Sequence, residues 1–547
     1  MTARGTVVGL SVLCSCLALG CAAAPDVDEI ELSPAHVEAV NRPRRVIFQH
    51  DLGELFIPPG MGPDSPNKVA DFFMSAIDEE SSQIDSVWHD YGAGDRVPYP
   101  SELLPPMTST FPQWWEAGRD PVRILLEAVK QRGREVFFAY RANVHYPLTP
   151  GAEHGWAMPA VAPKHPDLVK ANRPDWVTMH AGQPFWNYAI PEVRDLKVRI
   201  LRELAENYDF DGISVDFART PRLLPIGRQW KDRDDLTAFM RQLRLTLLEV
   251  ERQRGRPFLL AARVPETVMG CHFDGMDVER WARERLVDIF VLGSRSSDVK
   301  IEKFRSITAG TGIKLYPGWT DHHASDGYGN APIEVLRGVF ANWWSQRPDG
   351  VYAFNFFPSS PGAAEKVGRG PSARWNLDRQ MFAEIGSPET LRDKDKVFYV
   401  QRRGGGHGAE WVPSPDNWHT PRHAYFLTNM FAPLPAPLTN DGRTDTLLTL
   451  KVADDVSAAS GRIETLTLRL LLAKLEPQKL TASLVEVRIN NLLLTGAIVD
   501  GEWLVFPVDP LSLAVGDNLV GVRVTERPPG VRREVTVEKL ELHVKYR

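Results

Sequence analysis

Cysteine is scarce, with four in 547 residues. That is too few for a disulfide-stapled scaffold, so apolar burial must hold the fold. Charge of one sign is lacking too. Lys and Arg number 64 against 70 Asp and Glu, a formal net charge of −6. Such a balance gives no global drive toward nucleic acid or anionic lipid. Beyond the N-terminus no run approaches about 18 apolar residues, so no later spanning helix is expected. The dinucleotide string GxGxxG does not follow the first strand, and HExxH is absent. Tryptophan, by contrast, is plentiful: 15, beside 12 Tyr and 24 Phe. With 43% hydrophobic and 24% charged residues the composition is that of an ordinary globular chain. Its length suits about three domains at roughly 150 residues each.

Residues 1–21 form a secretory leader: Arg4, then an apolar run from about Val7 to Leu19. Its end, Leu17-Ala18-Leu19-Gly20-Cys21, resembles a bacterial lipobox, with Ala18 where a branched apolar residue is usual. Cys21 is the expected lipidation site, and the lipid the only expected membrane attachment. Ordinary cleavage near Ala22–Ala24 is the alternative. Either way Cys14 and Cys16 leave with the leader. With lipidated Cys21, Cys271 is left without a disulfide partner. Residues 22–43 are polar and contain Pro, as a tether does. The expected location is exported, at the cell envelope.

From 44 to 365 short apolar runs alternate with amphipathic stretches. Eight runs have strand character: Arg45–His50, Ile84–His89, Val136–Arg141, Asp211–Phe217, Phe258–Val264, Val287–Gly293, Ile313–Trp319 and Gly350–Asn355. Helical periodicity lies between them. Over about 121–132, Ile124, Leu125, Ala128 and Val129 share one face and Gly133 stops the helix. A second helix starts at Pro191, a good first-turn residue, and carries Leu196, Ile200, Leu201 and Leu204. Others run over about 234–254 and 332–346. This alternation predicts an α/β fold, a (β/α)8 TIM barrel. An open doubly wound sheet is the alternative.

Residues 142–190, after the third strand, form a long insertion rich in His, Pro and Trp, placed over the C-terminal face of a barrel. Residues 366–440 are transitional, and their Gly404-Gly405-Gly406 is a turn rather than a phosphate loop. From 441 to 547 the pattern becomes period two. Leu466–Leu472, Leu484–Ile489, Trp503–Val508, Leu519–Val524 and Val535–Val544 are separated by turns at Asn490-Asn491, Asp500-Gly501 and Gly516-Asp517-Asn518. A C-terminal all-β sandwich follows from that pattern.

Side chains at the C-terminal ends of barrel strands converge on one site. In chain order they are Trp88 with His50, Asp51, His89 and Asp90 from the first two strands, then Arg141, Asn143 and His145. Asp216, Arg219, Arg263, Glu266 and Arg295 come next, then Trp319, Asp321, His322, His323 and Asn355. This set suits glycoside cleavage. A carboxylate must face the positive charge at the anomeric carbon, and a second carboxyl with a raised pKa must protonate the leaving oxygen. Asp216, Glu266 and Asp321 are the candidate catalytic carboxylates. Asp216 ends a strand that otherwise has a buried pattern, and Glu266 follows the neighbouring strand. The remaining polar groups are candidate substrate binders. Trp88, Trp156, Trp176, Trp186 and Trp319 are candidate sugar platforms, or packing residues. The chemistry calls for no cofactor and no nucleic-acid partner; the partner is a polysaccharide or glycan. A metal centre is the competing chemistry, with His50/Asp51, His89/Asp90 and His322/His323 meeting at the mouth. The first strand lacks the HxH pair such barrels often show, and no metal is expected.

Asp175-Trp176, Trp186-Asn187, Pro191-Glu192-Val193-Arg194-Asp195 and Tyr208-Asp209-Phe210-Asp211-Gly212-Ile213 follow one another in order. Together they resemble the bacterial glycosyl-hydrolase-like family ten, most clearly over about 165–220. The resemblance implies a secreted or lipoprotein glycosidase-type barrel. It implies Asp216 at the site, with Trp186 and Asn187 nearby. Where that family often has two adjacent acids, this chain has Asp216 and Phe217, so one acidic role is either missing or supplied from elsewhere. The string DGISVDF also resembles the fourth-strand motif of chitinase-type barrels, but Ala218 replaces their acid and Ser214 an Asp. Three functions are thus open. An exported glycoside hydrolase leads, with Asp216 as nucleophile or base and Glu266 as acid. A non-catalytic glycan-binding lipoprotein and a metal-dependent hydrolase are the alternatives.

Overall fold

All eight apolar runs form parallel strands, and the strands close on themselves. The computed structural model describes residues 30–51, 66–90, 97–106, 112–144, 164–168, 170–180, 183–217, 222–293, 296–320, 328, 331–356, 373–402, 432–439, 441–473, 480–525 and 535–547. Helix α1 (Pro34–Asn41) precedes the barrel. Then come β1 (Val46–Asp51), α2 (Pro66–Asp78), β2 (Ile84–Asp90), α3 (Pro112–Glu116), α4 (Pro121–Gln131) and β3 (Glu135–Arg141). The insertion holds a hairpin, β4 (Val177–His180) and β5 (Gln183–Trp186). After it come α5 (Pro191–Asn207), β6 (Gly212–Asp216), α6 (Arg233–Arg254), β7 (Leu259–Val264), α7 (Val268–Phe273), α8 (Val278–Arg283) and β8 (Ile289–Leu292). Last are α9 (Ile301–Ile307), β9 (Lys314–Thr320), α10 (Ile333–Trp344) and β10 (Val351–Phe354). Around the barrel the order is β1-β10-β9-β8-β7-β6-β3-β2. The chain is therefore a TIM-type barrel and not an open sheet.

The barrel has two separate apolar cores. Alternate strand residues point to opposite faces. Ile47, Trp88, Phe137, Leu259, Ala261, Ile289, Val291, Tyr316, Tyr352 and Phe354 fill the interior. Trp88 stacks on Phe137 there, with centroids 4.8 Å apart. Their neighbours Phe48, Val87, Phe138, Val215 and Leu260 belong to the outer core beneath the helices.

Residues 34–41 are not a loose tether. Ser33 caps α1 by accepting from the His36 amide, and Pro34 starts it. Val40 of α1 joins the interior core, so the helix closes the end of the barrel where the strands begin. Arg44 seals that end: its Nε and Nη2 donate to Glu135 at 2.7 and 2.6 Å, and its Nη2 and Nη1 reach the carbonyls of Ala39 and Val40. His36 binds Glu251 Oε2 through Nδ1 (2.6 Å) and Asp288 Oδ1 through Nε2 (2.9 Å). Burial opposes charge on this imidazole, but the hydrogen bonds of Asp288 and Glu251 outweigh it and raise His36 to about 9. The protonated ring thus stabilises the fold fully below its ordinary 6.5, and that contribution is lost as pH rises through about 9. The wild type should lose on the order of 3 kcal/mol between pH 6 and 9.5 that His36→Gln does not lose. Urea midpoints of both proteins at the two pH values measure this; parallel curves would refute it.

The C-terminal region is two antiparallel sheets, and it starts earlier than residue 441. β11 (Lys396–Tyr399) and β12 (Ala436–Pro437) both pair with the last strand, so the transitional segment supplies two of its strands. The others are β13 (Thr446–Val452), β14 (Ile463–Ala473), β15 (Val485–Ile489), β16 (Leu492–Leu493), β17 (Ile498–Asp500), β18 (Trp503–Pro507), β19 (Gly516–Val524) and β20 (Thr536–Tyr546). One sheet runs β11-β20-β14-β18-β17, the other β13-β19-β15-β16. Asn490 and Asn491 take positive φ (48° and 69°) in the β15–β16 turn, as a type I′ turn requires. Helix α10 lies directly against β11. A Cβ on Gly338 would stand 2.0 Å from the Val397 carbonyl oxygen. Gly338→Ala must therefore part α10 from β11, at a cost of roughly 1–3 kcal/mol or more. A lowered melting temperature with faster proteolysis near 400 would show it; an unchanged one would refute it.

Candidate active site

The interior side chains at the C-terminal ends of the strands are Asp51, Asp90, Arg141, Asp216, Arg263 and Thr320. Strand register sets them side by side: Asp51 faces Asp90, Arg141 faces Asp216, and Asp216 faces Arg263. One layer deeper, Ala139, Ser214 and Ala261 are also in register, so only small side chains underlie Arg141, Asp216 and Arg263, whereas Gln49 and Trp88 underlie Asp51 and Asp90.

Two ion-paired groups make up the row. In the first, Arg141 donates from Nε to Asp90 Oδ2 (2.9 Å) and from Nη2 to Asp51 Oδ1 (2.7 Å). Asn355, with φ of 57°, donates to Asp51 Oδ2 at 3.1 Å and accepts from the Asp51 amide at 2.9 Å. Gln49 adds a bond to Asp90 and accepts the Tyr352 hydroxyl. In the second, Arg263 donates to Asp216 Oδ2 (3.3 Å), the Gly293 carbonyl (3.4 Å) and the Thr320 hydroxyl (3.3 Å). The Arg263 guanidinium also lies over the Phe354 ring, 4.6 Å from its centroid. Asp216 and Arg263 are each 1% exposed. Glu266 is 3% exposed, on the segment joining β7 to α7. Its Cβ lies against Gly293, whose φ of +79° and close approach exclude a side chain. Glu266 thus stands beside Gly293, whose carbonyl Arg263 also binds.

Several expected site residues face elsewhere. His50, His89 and Trp319 are turned outward, away from the mouth. His50 stacks on Phe48 and on Phe73 of α2, and meets His89 edge-on at 5.3 Å. Burial lowers His50 to about 4 and holds His89 well below its ordinary value, so both rings are neutral. Trp319 is paired with Ala353 in the outer core. The reason is parity: adjacent strand residues cannot both point inward, and Asp51, Asp90 and Thr320 take the inward places. Among the described residues no group of three or more His, Cys, Asp or Glu side chains is arranged to hold a metal ion.

Asn143 braces the insertion. Its Nδ2 donates to the carbonyls of Trp186 and Arg222, and its Oδ1 accepts from the amides of Val144 and Trp186. Those four bonds use its whole capacity. Trp186 is buried between the cations of Lys170 and Lys197, and Asn187 accepts from Ala189 in the turn before α5. Trp88 lies in the barrel interior, and Trp176 is buried under Arg173. None of these four described tryptophans (Trp88, Trp176, Trp186, Trp319) forms an exposed sugar platform. Cys271 is a buried free thiol, raised well above its ordinary value by burial and by Asp274 and Glu266, hence no nucleophile. Cys21, His145, Trp156, Arg219, Arg295, Asp321, His322 and His323 lie outside the described residues. Gln49, Thr320 and Tyr352 were not foreseen at the site. The two-residue spacing from Gln49 to Asp51 is the one signal that could have found Gln49.

Residues 75–222 match the family model described as glycosyl hydrolase-like 10. A curated relative, the glycosyl hydrolase YngK of Bacillus subtilis (strain 168), is 27% identical over 109 residues. That match spans 18% of this chain and 18% of the relative's own length. Among solved structures, the PgaB (BpsB) glycoside hydrolase domain from Bordetella bronchiseptica overlaps with a TM-score of 0.38 at 13% identity, over 63% of this chain and 99% of that one. The alpha-L-fucosidase isoenzyme 2 from Paenibacillus thiaminolyticus overlaps with a TM-score of 0.40 at 13% identity, over 64% and 51%.

Proposed function

We propose that this glycosyl-hydrolase-like family ten barrel is an exported glycoside hydrolase that cuts a polysaccharide by a two-carboxylate mechanism, with lipidation at Cys21 as its anchor. The observation that carries the reading is Asp216, buried at the mouth beside Arg263; Glu266, the second carboxyl, follows the neighbouring strand and is buried against Gly293. Asp216, at the end of β6 and hydrogen-bonded by Arg263, takes the place of a nucleophile, or of a base that activates water. Glu266 supplies the proton to the leaving oxygen. Arg141, fixed between Asp51 and Asp90, presents a rigid edge for sugar hydroxyls.

The non-catalytic reading draws on Phe217, which occupies the place of a second acid and packs against Trp281 in the outer core. Reducing-sugar release separates the two. Purified mature protein is assayed on a polysaccharide panel that includes peptide-free peptidoglycan glycan, with and without a chelator, beside Asp216→Asn and Glu266→Gln. Release that the chelator spares and either substitution abolishes supports the hydrolase. Retention of glycan on a pull-down without release supports the binding protein.

A further inference from the structure

We infer that the C-terminal sheet is a positioning part of the barrel mouth, acting on Arg263 and through it on Asp216; the catalytic side of this rests on the glycosidase reading above. Two of the partners that fix the Arg263 guanidinium, the Gly293 carbonyl and the Thr320 hydroxyl, stand at the ends of β8 and β9. At 3.4 and 3.3 Å these bonds are long, so a displacement of a few tenths of an ångström breaks them.

Beyond both strand ends the C-terminal region holds the chain again, at Ser297, four residues past Gly293, and at Tyr328, eight past Thr320. After β8, the Gln401 side-chain oxygen accepts from the Ser297 amide (2.6 Å) and the Asp298 amide (3.3 Å), and from the Ser297 hydroxyl (2.5 Å). Gln401 stands two residues past β11. After β9, Tyr328 reaches the sheet itself. Its hydroxyl donates to Glu541 of β20, and its ring lies 4.2 Å from that of Tyr399 and 4.3 Å from Lys539 Nζ. Glu541 is itself bound by His543 at 2.7 Å. Two independent contacts from the C-terminal region thus follow, in the chain, the two strand ends that hold a single guanidinium. A brace meant only to stabilise the barrel would grip its helices, as Asn342 of α10 does through the Lys451 carbonyl (3.0 Å).

The test uses the full chain with Gln401→Ala, Tyr328→Phe and their double variant. Glu541→Gln, which keeps an acceptor, is set against Glu541→Leu, which does not. Asp500→Asn, cutting the surface pair with Arg469 in the same sheet, is the control. Two readouts are taken: kcat and KM on whichever glycan the wild type cleaves, and amide hydrogen exchange at Gly293 and Thr320. Loss of both tethers should lower kcat on the order of tenfold, with KM little changed. Exchange at the two strand ends should quicken, and Glu541→Gln should resemble wild type. Unchanged exchange at Gly293 and Thr320 in the double variant overturns the inference, whatever the activity. A kcat loss that only follows a fall in melting temperature overturns it as well. A wild type that cleaves nothing refutes the glycosidase reading alone, because exchange still reports on positioning.

Discussion

Asp216→Asn should lower kcat by about a thousandfold, within the range for removing a charged group that acts in the transition state. Asparagine keeps the shape and the acceptor that Arg263 uses at 3.3 Å, so the mouth should stay assembled and glycan should still bind. What disappears is the negative charge that the proposed mechanism sets against the anomeric carbon. Glu266→Gln should divide by leaving group. A natural linkage needs protonation and should lose on the order of a hundredfold or more, whereas an aryl glycoside with an acidic phenol needs no proton and should lose far less. Equal losses on both substrates would remove Glu266 from the acid role. Full activity in Asp216→Asn would remove Asp216 from the chemistry altogether.

Asp288→Ala should cost about 3–5 kcal/mol of stability, the range for removing one partner of a buried ion pair. Asp288 is 2% exposed and accepts four bonds: 2.8 and 2.7 Å from Arg244, 2.9 Å from His36 and 2.7 Å from the Leu260 amide. Burial alone would raise this carboxyl, yet Arg244 and His36 outweigh burial and hold it well below the usual carboxylate range. Without it, the Arg244 cation stays buried at the closed end of the barrel with its counter-charge gone. Arg244→Met with Asp288→Leu should restore much of the loss, because the cost lies in the uncompensated charge and not in missing atoms. Chemical denaturation of the wild type and the two variants measures this; a double variant as unstable as Asp288→Ala would refute it.

The barrel was legible because its strands are buried on both faces, giving continuous apolar runs that break the helical periodicity around them. That same double burial hid the orientation of each strand. In His50-Asp51 and His89-Asp90 both residues are polar, so no alternation told which of each pair points inward. Helix α1 escaped notice although Ser33-Pro34 is a start signal, because eight residues are too few for periodicity to show. Asn143 resembles a binding residue in sequence. Its partners Trp186 and Arg222 lie 43 and 79 residues away, and only the folded chain reveals that its bonds are used. The two pins on Gln401 and Glu541 are equally invisible, since neither residue belongs to a motif.

The closed end of the barrel also sets a direction. Helix α1 joins the barrel where the strands begin, and Asp216 stands where they finish. If the chain is anchored ahead of α1 as proposed above, the hold comes from the sealed side of the barrel, and a polymer would meet the mouth from the opposite side.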